Sequence, residues 1–444
     1  MRGWLGLVAL WANLAQAALP GYLLEALSKA QLPTDSVAIV LQPVDGSAPQ
    51  LSHNASKAMN PASVMKLVTT YAALEALGPA YRWKTEVYYT GTLQSGVLDG
   101  DLIMRGTGDP ALNMPEFWRL LQQIQQQGIR QIKGNLVLDM SAYRPEVSQR
   151  PVLDDEPWRA YNANPSALLL NGRNTSFRFS VAQLGHPSVL IAQEFELPQI
   201  RINNLMRLRK GACNDWRSDL HYVVTPQQDE VTVTFSGSLP EQCDERYLEL
   251  SVLSDHQYLF LAFKKLWTQL GGQFSGQLVQ APVMEVAVPV TTWWSPPLDS
   301  VIRDINKWSN NVMARQLMLT IGLEAGLAPV DEAAAALAVK QSLRQRGLQF
   351  PELVLENGAG LSRNERISAE HLAQLLVTAY QRPLMPVLMA SLPILGTDGT
   401  TKKRLADSPG KGMAYLKTGS LNGVSSLAGY VQDLQGKRYV LVML

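Results

Sequence analysis

The stretch Asn60-Pro-Ala-Ser-Val-Met-Lys-Leu-Val-Thr-Thr-Tyr-Ala-Ala-Leu-Glu-Ala-Leu77 decides how the rest of the chain is read. Apolar residues recur at Val64, Leu67, Val68, Tyr71, Leu74 and Leu77, the 3.6-residue period of a helix with one buried stripe. Asn60 is a good N-cap, and Pro61 suits the first helical position, where a missing N–H costs nothing. Ser63 then falls in the first turn, near unpaired backbone N–H groups and the positive end of the helix dipole. Lys66 lies about one turn further along the same face. A serine hydroxyl is a weak nucleophile until a base takes its proton. A lysine does so when burial or a second cation keeps it neutral part of the time. Ser-x-x-Lys alone arises by chance roughly once per 200–300 residues, so it needs support from elsewhere in the chain.

The 444 residues exceed what one core usually holds, so two or three domains are expected. Hydrophobic content of 46% with 17% charged residues describes a globular chain able to bury a large core. A formal net charge of +1 gives no electrostatic reason to expect nucleic acid or a membrane surface as partner. Residues 1–17 read as an export signal: Arg2, an apolar run from Trp4 to Leu14, then Ala15-Gln16-Ala17 with cleavage expected after Ala17. The run is too short to span a bilayer and no later segment is long and apolar enough, so no integral membrane segment is expected. Cys213 and Cys243 are the only cysteines, and in an exported chain an even pair is most simply a disulfide. No metal site or cofactor is expected: neither cysteine has a second ligand at finger spacing, and the five histidines are scattered.

Along the chain, residues 20–31 suggest a short amphipathic helix and Ser36–Gln42 a buried strand. Short β-branched or aromatic segments follow the Ser63 helix, at Trp83–Gly91, Asp101–Arg105, Asn135–Ala142, Ser176–Ala182, Ser188–Gln193 and Glu230–Gly237. Helices are predicted at Glu116–Gln127, closed by Gly128, and at Gln257–Leu270. So long a region is no loop within one domain and reads as inserted domains rich in β-structure. Helical patterns return at Leu298–Leu323, Asp331–Arg346 and Ser368–Gln381, and strands at Ala414–Thr418, Ser425–Gln432 and Arg438–Leu444 close the chain. An α+β catalytic domain, an antiparallel sheet flanked by helices, is expected to be discontinuous.

Two further motifs fall in the C-terminal half. Ser309-Asn310-Asn311 lies in a helical stretch and Lys417-Thr418-Gly419 on a strand. Ser-x-x-Lys, Ser-Asp-Asn and Lys-Thr-Gly in that order mark penicillin-binding proteins and β-lactamases. Gly106-Thr-Gly-Asp-Pro110, Asn164-Pro-Ser-Ala-Leu-Leu-Leu-Asn171, Glu356-Asn-Gly-Ala-Gly-Leu-Ser-Arg363 and Lys417-Thr-Gly-Ser-Leu-Asn-Gly-Val424 extend the likeness. With these, nearly the whole mature chain resembles the class C low-molecular-mass penicillin-binding proteins, periplasmic serine D-alanyl-D-alanine carboxypeptidases/endopeptidases. The middle motif here is Ser-Asn-Asn, with its first and third positions kept.

The resemblance implies a penicillin-recognising serine transpeptidase-like fold. It implies a catalytic domain from 18–79 and 291–444, an inserted domain from 80–92 and 163–290, and a second from 93–162. It also implies roles. Ser63 is the nucleophile, Lys66 its base, Ser309 a proton relay, and Asn311 a hydrogen-bonding partner of Lys66 and the substrate amide. Lys417 and Thr418 hold the terminal carboxylate, Gly419 lets substrate approach the strand edge, and the N–H groups of Ser63 and Ser420 form the oxyanion hole. Arg363, Asn422 and Asp155 match positions near the cleft that contact the stem peptide. Asp109 reads as a turn-former, and Trp293 and Trp294 as packing residues. The implied partners are peptidoglycan stem peptides and β-lactam antibiotics, with a homodimer possible.

Two rivals stand beside this reading. A β-lactamase on the same fold needs a carboxylate or modified lysine to activate water, and no Glu-x-x-Leu-Asn segment follows Ser63 at short range. A non-catalytic sensor module is expected to have lost one of Ser63, Lys66 and Lys417, yet all are present. The end of the chain carries a separate expectation. Arg438-Tyr-Val-Leu-Val-Met-Leu444 is the pattern of a strand covered on both faces. In the proteins it resembles, a C-terminal helix follows this strand. The sequence reading therefore expects a truncated C-terminus or self-association through an open apolar face.

Overall fold

The strand at Ile39–Pro43 pairs antiparallel with the strand at Arg438–Met443, so distant parts of the chain close one sheet. A computed structural model describes residues 19–149, 153–182, 187–228 and 230–444; the export signal expected at 1–17 lies outside them. The five strands run in the order Leu51–His53, Ile39–Pro43, Arg438–Met443, Val424–Gln432, Ala414–Leu421. The helix Ala369–Tyr380, capped by the Ser368 side chain, packs on the two central strands. Val40, Ala428, Tyr430, Val440 and Val442 face it across a shared core. This is the discontinuous α+β domain expected from the order of elements.

The Ser63 segment departs from the predicted single stripe. A 3₁₀ turn over Ala62–Met65 leads into the helix Lys66–Leu77, and every residue from Lys66 to Leu74 is buried. Small residues (Thr69, Thr70, Ala72, Ala73) fill the faces between the apolar positions. Helices Leu298–Trp308, Asn311–Glu324 and Glu332–Gln345 close around them. The helix is thus the axis of the core. The long pattern read over Leu298–Leu323 is two helices broken at Ser309, which holds a left-handed φ of 57°.

In the inserted region the hydrogen-bonded sheets group residues differently from the expected division. Strands at Leu102–Gly106 and Leu136–Asp139 join a five-stranded sheet with Lys84–Tyr89, Leu278–Gln280 and Val288–Trp294. Segment 93–162 therefore does not close a sheet of its own. A second unit is nested within, a three-stranded sheet of Thr175–Val181, Val189–Gln193 and Arg246–Leu250 beside another of Ile200–Arg209, Leu220–Pro226 and Val231–Pro240. Parallel pairs such as Leu136–Asp139 with Leu278–Gln280 join segments some 140 residues apart. Local periodicity carries no information about such partners. Cys213 and Cys243 form the expected disulfide within the nested unit.

The last strand is covered more on one face than the other. Val440 and Val442 are buried, whereas Tyr439, Leu441 and Met443 remain partly exposed. The helix Gly21–Lys29 buries none of its residues. The face carrying Tyr439, Leu441 and Met443 is thus left partly open, in the direction of the open apolar face expected from the sequence.

Candidate active site

Asn60 is not the helix cap expected of it: Pro61 holds the cap position of the 3₁₀ segment. Asn60 accepts the Ala62 N–H at 2.8 Å in the turn before it, and Ala62 takes a positive φ of 45°. That bend sets Ser63 at the mouth of the core with the buried Lys66 behind it. Lys66 Nζ lies 2.9 Å from Ser63 Oγ, 2.6 Å from Asn311 Oδ1 and 2.5 Å from the carbonyl of Ala359. A neutral amine has two N–H groups and one lone pair. With Asn311 and Ala359 accepting the two N–H groups, the lone pair is left for the serine proton. Burial holds Lys66 well below the ordinary lysine range, and the nearby Lys417 lowers it further, while Glu365 opposes the shift. The geometry and the proton affinity both suit a base.

The break between helices presents the second motif. Asn310 caps the helix that starts at Asn311, accepting the Met313 N–H at 3.1 Å, so Asn311 projects from a fixed first turn. Ser309, in its left-handed conformation, accepts a 2.8 Å hydrogen bond from Lys417 Nζ. Lys417 is buried, donates a second bond to the Thr418 carbonyl at 2.8 Å, and is pushed down to about 7 by desolvation.

Close approach explains two glycines. A Cβ on Gly419 would stand 2.6 Å from the Pro61 carbonyl and 3.0 Å from the Ser63 nitrogen. The strand edge therefore runs directly against the nucleophile's backbone. Gly360, at φ 79°, passes so near Ala62 that a Cβ would lie 1.8 Å from its carbonyl oxygen. Ser426 Oγ ties the neighbouring strand to the same turn by donating to Pro61 at 2.6 Å.

The structure thus gathers Ser63, Lys66, Ser309, Asn311, Lys417, Thr418 and Gly419, with Ser420 exposed next along the strand. The outer candidates divide. Arg363 donates to the Asn422 backbone carbonyl at 2.6 Å, so Asn422 takes part through its main chain. The carboxylate that meets Arg363 belongs to Asp154, at 2.7 Å, and not to its neighbour Asp155, which is exposed. Two adjacent aspartates in a turn look alike in sequence, and both take a left-handed φ here, so neither residue type nor backbone class distinguishes the one that meets Arg363.

Sequence reading also missed Ala359, Glu365, Thr400 and the Lys307–Asp398 pair. Thr400 sits 2.8 Å from the Thr418 hydroxyl, and Lys307 bonds Asp398 at 2.6 Å. The Ala359 contribution is a main-chain carbonyl, which no residue type announces. A cavity of about 480 Å³ adjoins Ser309 and Asn311, lined also by Trp308, Tyr161 and Asn171 of the inserted region. A larger cavity of about 650 Å³, near Arg173 and His256, is lined by Asn164 to Ala167 but by no residue of the Ser63, Ser309 or Lys417 motifs. Among the described residues, no three His, Cys, Asp or Glu side chains cluster as a metal site.

The model of the D-Ala-D-Ala carboxypeptidase 3 (S13) family matches residues 20–444. The chain belongs to this family. It is a serine peptidase, a hydrolase of the penicillin-binding class. The S13 chain is 28% identical to D-alanyl-D-alanine carboxypeptidase DacB of Haemophilus influenzae, over 88% of this chain and 81% of the relative. It is also 28% identical to a D-alanyl-D-alanine carboxypeptidase of an Actinomadura species, over 87% and 73%. The crystal structure of penicillin binding protein 4 from Haemophilus influenzae superposes with a TM-score of 0.78 at 25% identity, covering 92% of this chain and 89% of that one. The same Haemophilus protein has been solved with a β-lactam bound. No helix among the described residues is long and apolar enough to cross a membrane.

Proposed function

We propose that this S13 peptidase acts in the periplasm through an acyl-enzyme on Ser63. Its substrates are the D-Ala–D-Ala bond of stem peptides, the D-Ala–meso-diaminopimelate bond of cross-links, or both. The observation that carries the proposal is the Lys66 amine, buried, lowered in proton affinity and held 2.9 Å from the Ser63 hydroxyl by two fixed acceptors.

In this scheme Ser63 Oγ attacks the penultimate D-Ala carbonyl as its proton passes to Lys66. The developing oxyanion is met by the Ser63 and Ser420 N–H groups, an arrangement supported by the approach of Gly419 to the Ser63 nitrogen. The C–N bond then breaks, and the leaving amine takes a proton delivered through Ser309, which Lys417 holds in place. Lys417, Thr418 and Thr400 stand ready for the terminal carboxylate, with Asn311 beside the substrate amide. Water repeats the attack on the ester, and Ser63 recovers its proton. The scheme needs no cofactor. β-Lactams acylate the same serine because their strained amide mimics the substrate, and export by residues 1–17 places the enzyme beside its polymer.

Intact-mass spectrometry with benzylpenicillin, alongside D-Ala release from a pentapeptide, tests the proposal. One adduct on the Ser63 peptide is expected, absent in Ser63→Ala, with D-Ala released only by the wild type. An adduct in Ser63→Ala would overturn the assignment of the nucleophile. Hydrolysis of the drug far faster than D-Ala release would instead favour a β-lactamase.

A further inference from the structure

Glu365 is a fully buried carboxylate outside the three motifs. Its Oε1 accepts three successive backbone N–H groups, from Glu356 at 3.0 Å, Asn357 at 3.0 Å and Gly358 at 3.2 Å. Consecutive N–H groups converging on one oxygen form an anion nest, which favours the ionised carboxylate. The nest folds residues 356–360 into a tight loop, and other contacts hold it there. Asn357 accepts from Ala359 N–H at 2.9 Å and donates to Leu361 at 2.8 Å, while Thr69 of the Ser63 helix donates to the Gly358 carbonyl at 2.7 Å. The next carbonyl, that of Ala359, accepts from Lys66. The second oxygen of Glu365 is buried without a hydrogen-bond partner, so the nest does not account for the whole group.

We propose that Glu365 is a positioning residue for the base: its carboxylate aims the Ala359 carbonyl at Lys66 and balances the charge of Lys417 across it. The inference rests on the reading of Lys66 as the base that activates Ser63.

Positioning matters because the neutral amine must keep its lone pair on the serine proton. If the Ala359 carbonyl drifted, an N–H would be free to turn toward Ser63 and the lone pair away from it. Charge matters because the environment of Lys66 is asymmetric. Lys417, from the strand Ala414–Leu421, lowers its proton affinity and Glu365 raises it, while Asn311 and Ser63 are neutral. The other charged groups near Glu365 are turned elsewhere. Glu356 accepts from Ser362 and Asn364, Arg363 donates to Asp154, and Arg366 donates to the carbonyls of Arg363 and Glu365. Burial raises the Glu365 carboxyl, while the three N–H groups and the Lys66 field lower it. The charges of Glu365 and Lys66 therefore stabilise each other, and removing one must move the other.

The test is the second-order rate of Ser63 acylation by a chromogenic β-lactam, measured from about pH 4 to 9 on the full chain. Glu365→Gln keeps an acceptor oxygen for the nest and removes the charge. Its acid limb is expected to move to lower pH by roughly 0.5–1 unit, with the plateau within about threefold of wild type. Glu365→Asp keeps the charge on a shorter stem. Its limb is expected to stay in place while the plateau falls roughly tenfold or more as the loop shifts. An unmoved limb in Glu365→Gln overturns the charge role, and an unchanged plateau in Glu365→Asp overturns the positioning role. If Glu365→Gln does not fold, Glu365→Asp still decides the second point. A wild type that is acylated at no pH overturns the acyl-enzyme reading itself, and this inference with it.

Discussion

Around the Ser63 helix the core encloses Lys66, Lys417, Glu365, Asn306, Gln316 and the Arg315–Glu332 ion pair. The core of the inserted region is closed instead by Phe177, Phe179, Phe235, Phe263 and Trp267, together with aliphatic residues from every sheet. Phe235 meets Phe177 and Phe179 edge to face, 5.1 Å from each, and Phe263 stacks on Trp267. Aromatic packing of this kind stabilises by area and shape. Charges held in a low-dielectric core cost stability unless each is partnered, and burial lowers the proton affinities of Lys66 and Lys417, the two lysines that the proposed chemistry uses. The comparison separates a region built for chemistry from one built to hold its shape beside the cleft.

The sharpest way to break that separation is to empty the inserted core. Phe235→Ala removes a fully buried ring and is expected to cost about 3–5 kcal/mol. Melting should show an early transition, while molecules below it still acylate at the wild-type rate. If acylation falls in step with the inserted core, the two regions fold as one cooperative unit and the contrast fails.

Reducing the disulfide is a milder version of the same test. Cys213 and Cys243 are 30 residues apart in sequence, a loop whose closure is worth about 3–4 kcal/mol on the chain-entropy model. Reductant is expected to lower the first transition and to leave β-lactam labelling intact. Thiols that alkylate in the native protein without reductant would remove the bond from the account.

Sequence alone revealed the chemical half of the molecule better than the structural half. Ser63, Lys66, Ser309, Asn311 and Lys417 were legible because nucleophile, base and cation need particular residue types at particular spacings. Ala359 was not, since a backbone carbonyl leaves no mark on residue identity. Glu365 was hidden for a related reason: its charge makes sense only once residues 356–358 fold over it. The strand Ile200–Arg209 escaped detection because Asn203, Asn204 and its arginines give it a polar, half-exposed face with no clear alternation. The sheet groupings escaped because their partners are remote in sequence, and the division at 93–162 followed the resemblance where hydrogen bonds follow the strands.

Lys417 shows what the catalytic core gives up. In the unfolded chain it titrates near the ordinary lysine value of 10.5, and in the fold at about 7. Between those values the unfolded state holds the extra proton, so this residue makes stability rise with pH across that window, with its full penalty below pH 7. Lys417→Met is expected to remove this pH dependence and to raise stability at neutral pH on the order of 0.5–2 kcal/mol, with loss of most peptidase activity. In the wild type, kcat/KM should decline as pH rises past about 7, because the charge that attracts the substrate carboxylate is lost. A Lys417→Met protein less stable than wild type at pH 7 would show that the lysine holds the core together, contrary to the comparison.

The smallest effect is expected where the two regions touch through charge. Arg363, from the catalytic half, reaches Asp154 of the inserted region at 2.7 Å while its other arm holds the Asn422 carbonyl. Both side chains are about 40% exposed, so water screens the pair and its coupling should be only about 0.2–1 kcal/mol. A double-mutant cycle on Asp154→Ala and Arg363→Ala measures that coupling directly, and the cycle with Asp155→Ala serves as its control. Coupling to Asp154 alone is expected, with pentapeptide KM rising more than kcat falls, since the pair stands at the rim of the cleft and not at the reacting bond. Coupling to Asp155 instead would restore the assignment read from the sequence. Coupling well above 1 kcal/mol would mean that the pair is shielded from water, and that the boundary between the two regions is itself part of the chemical half.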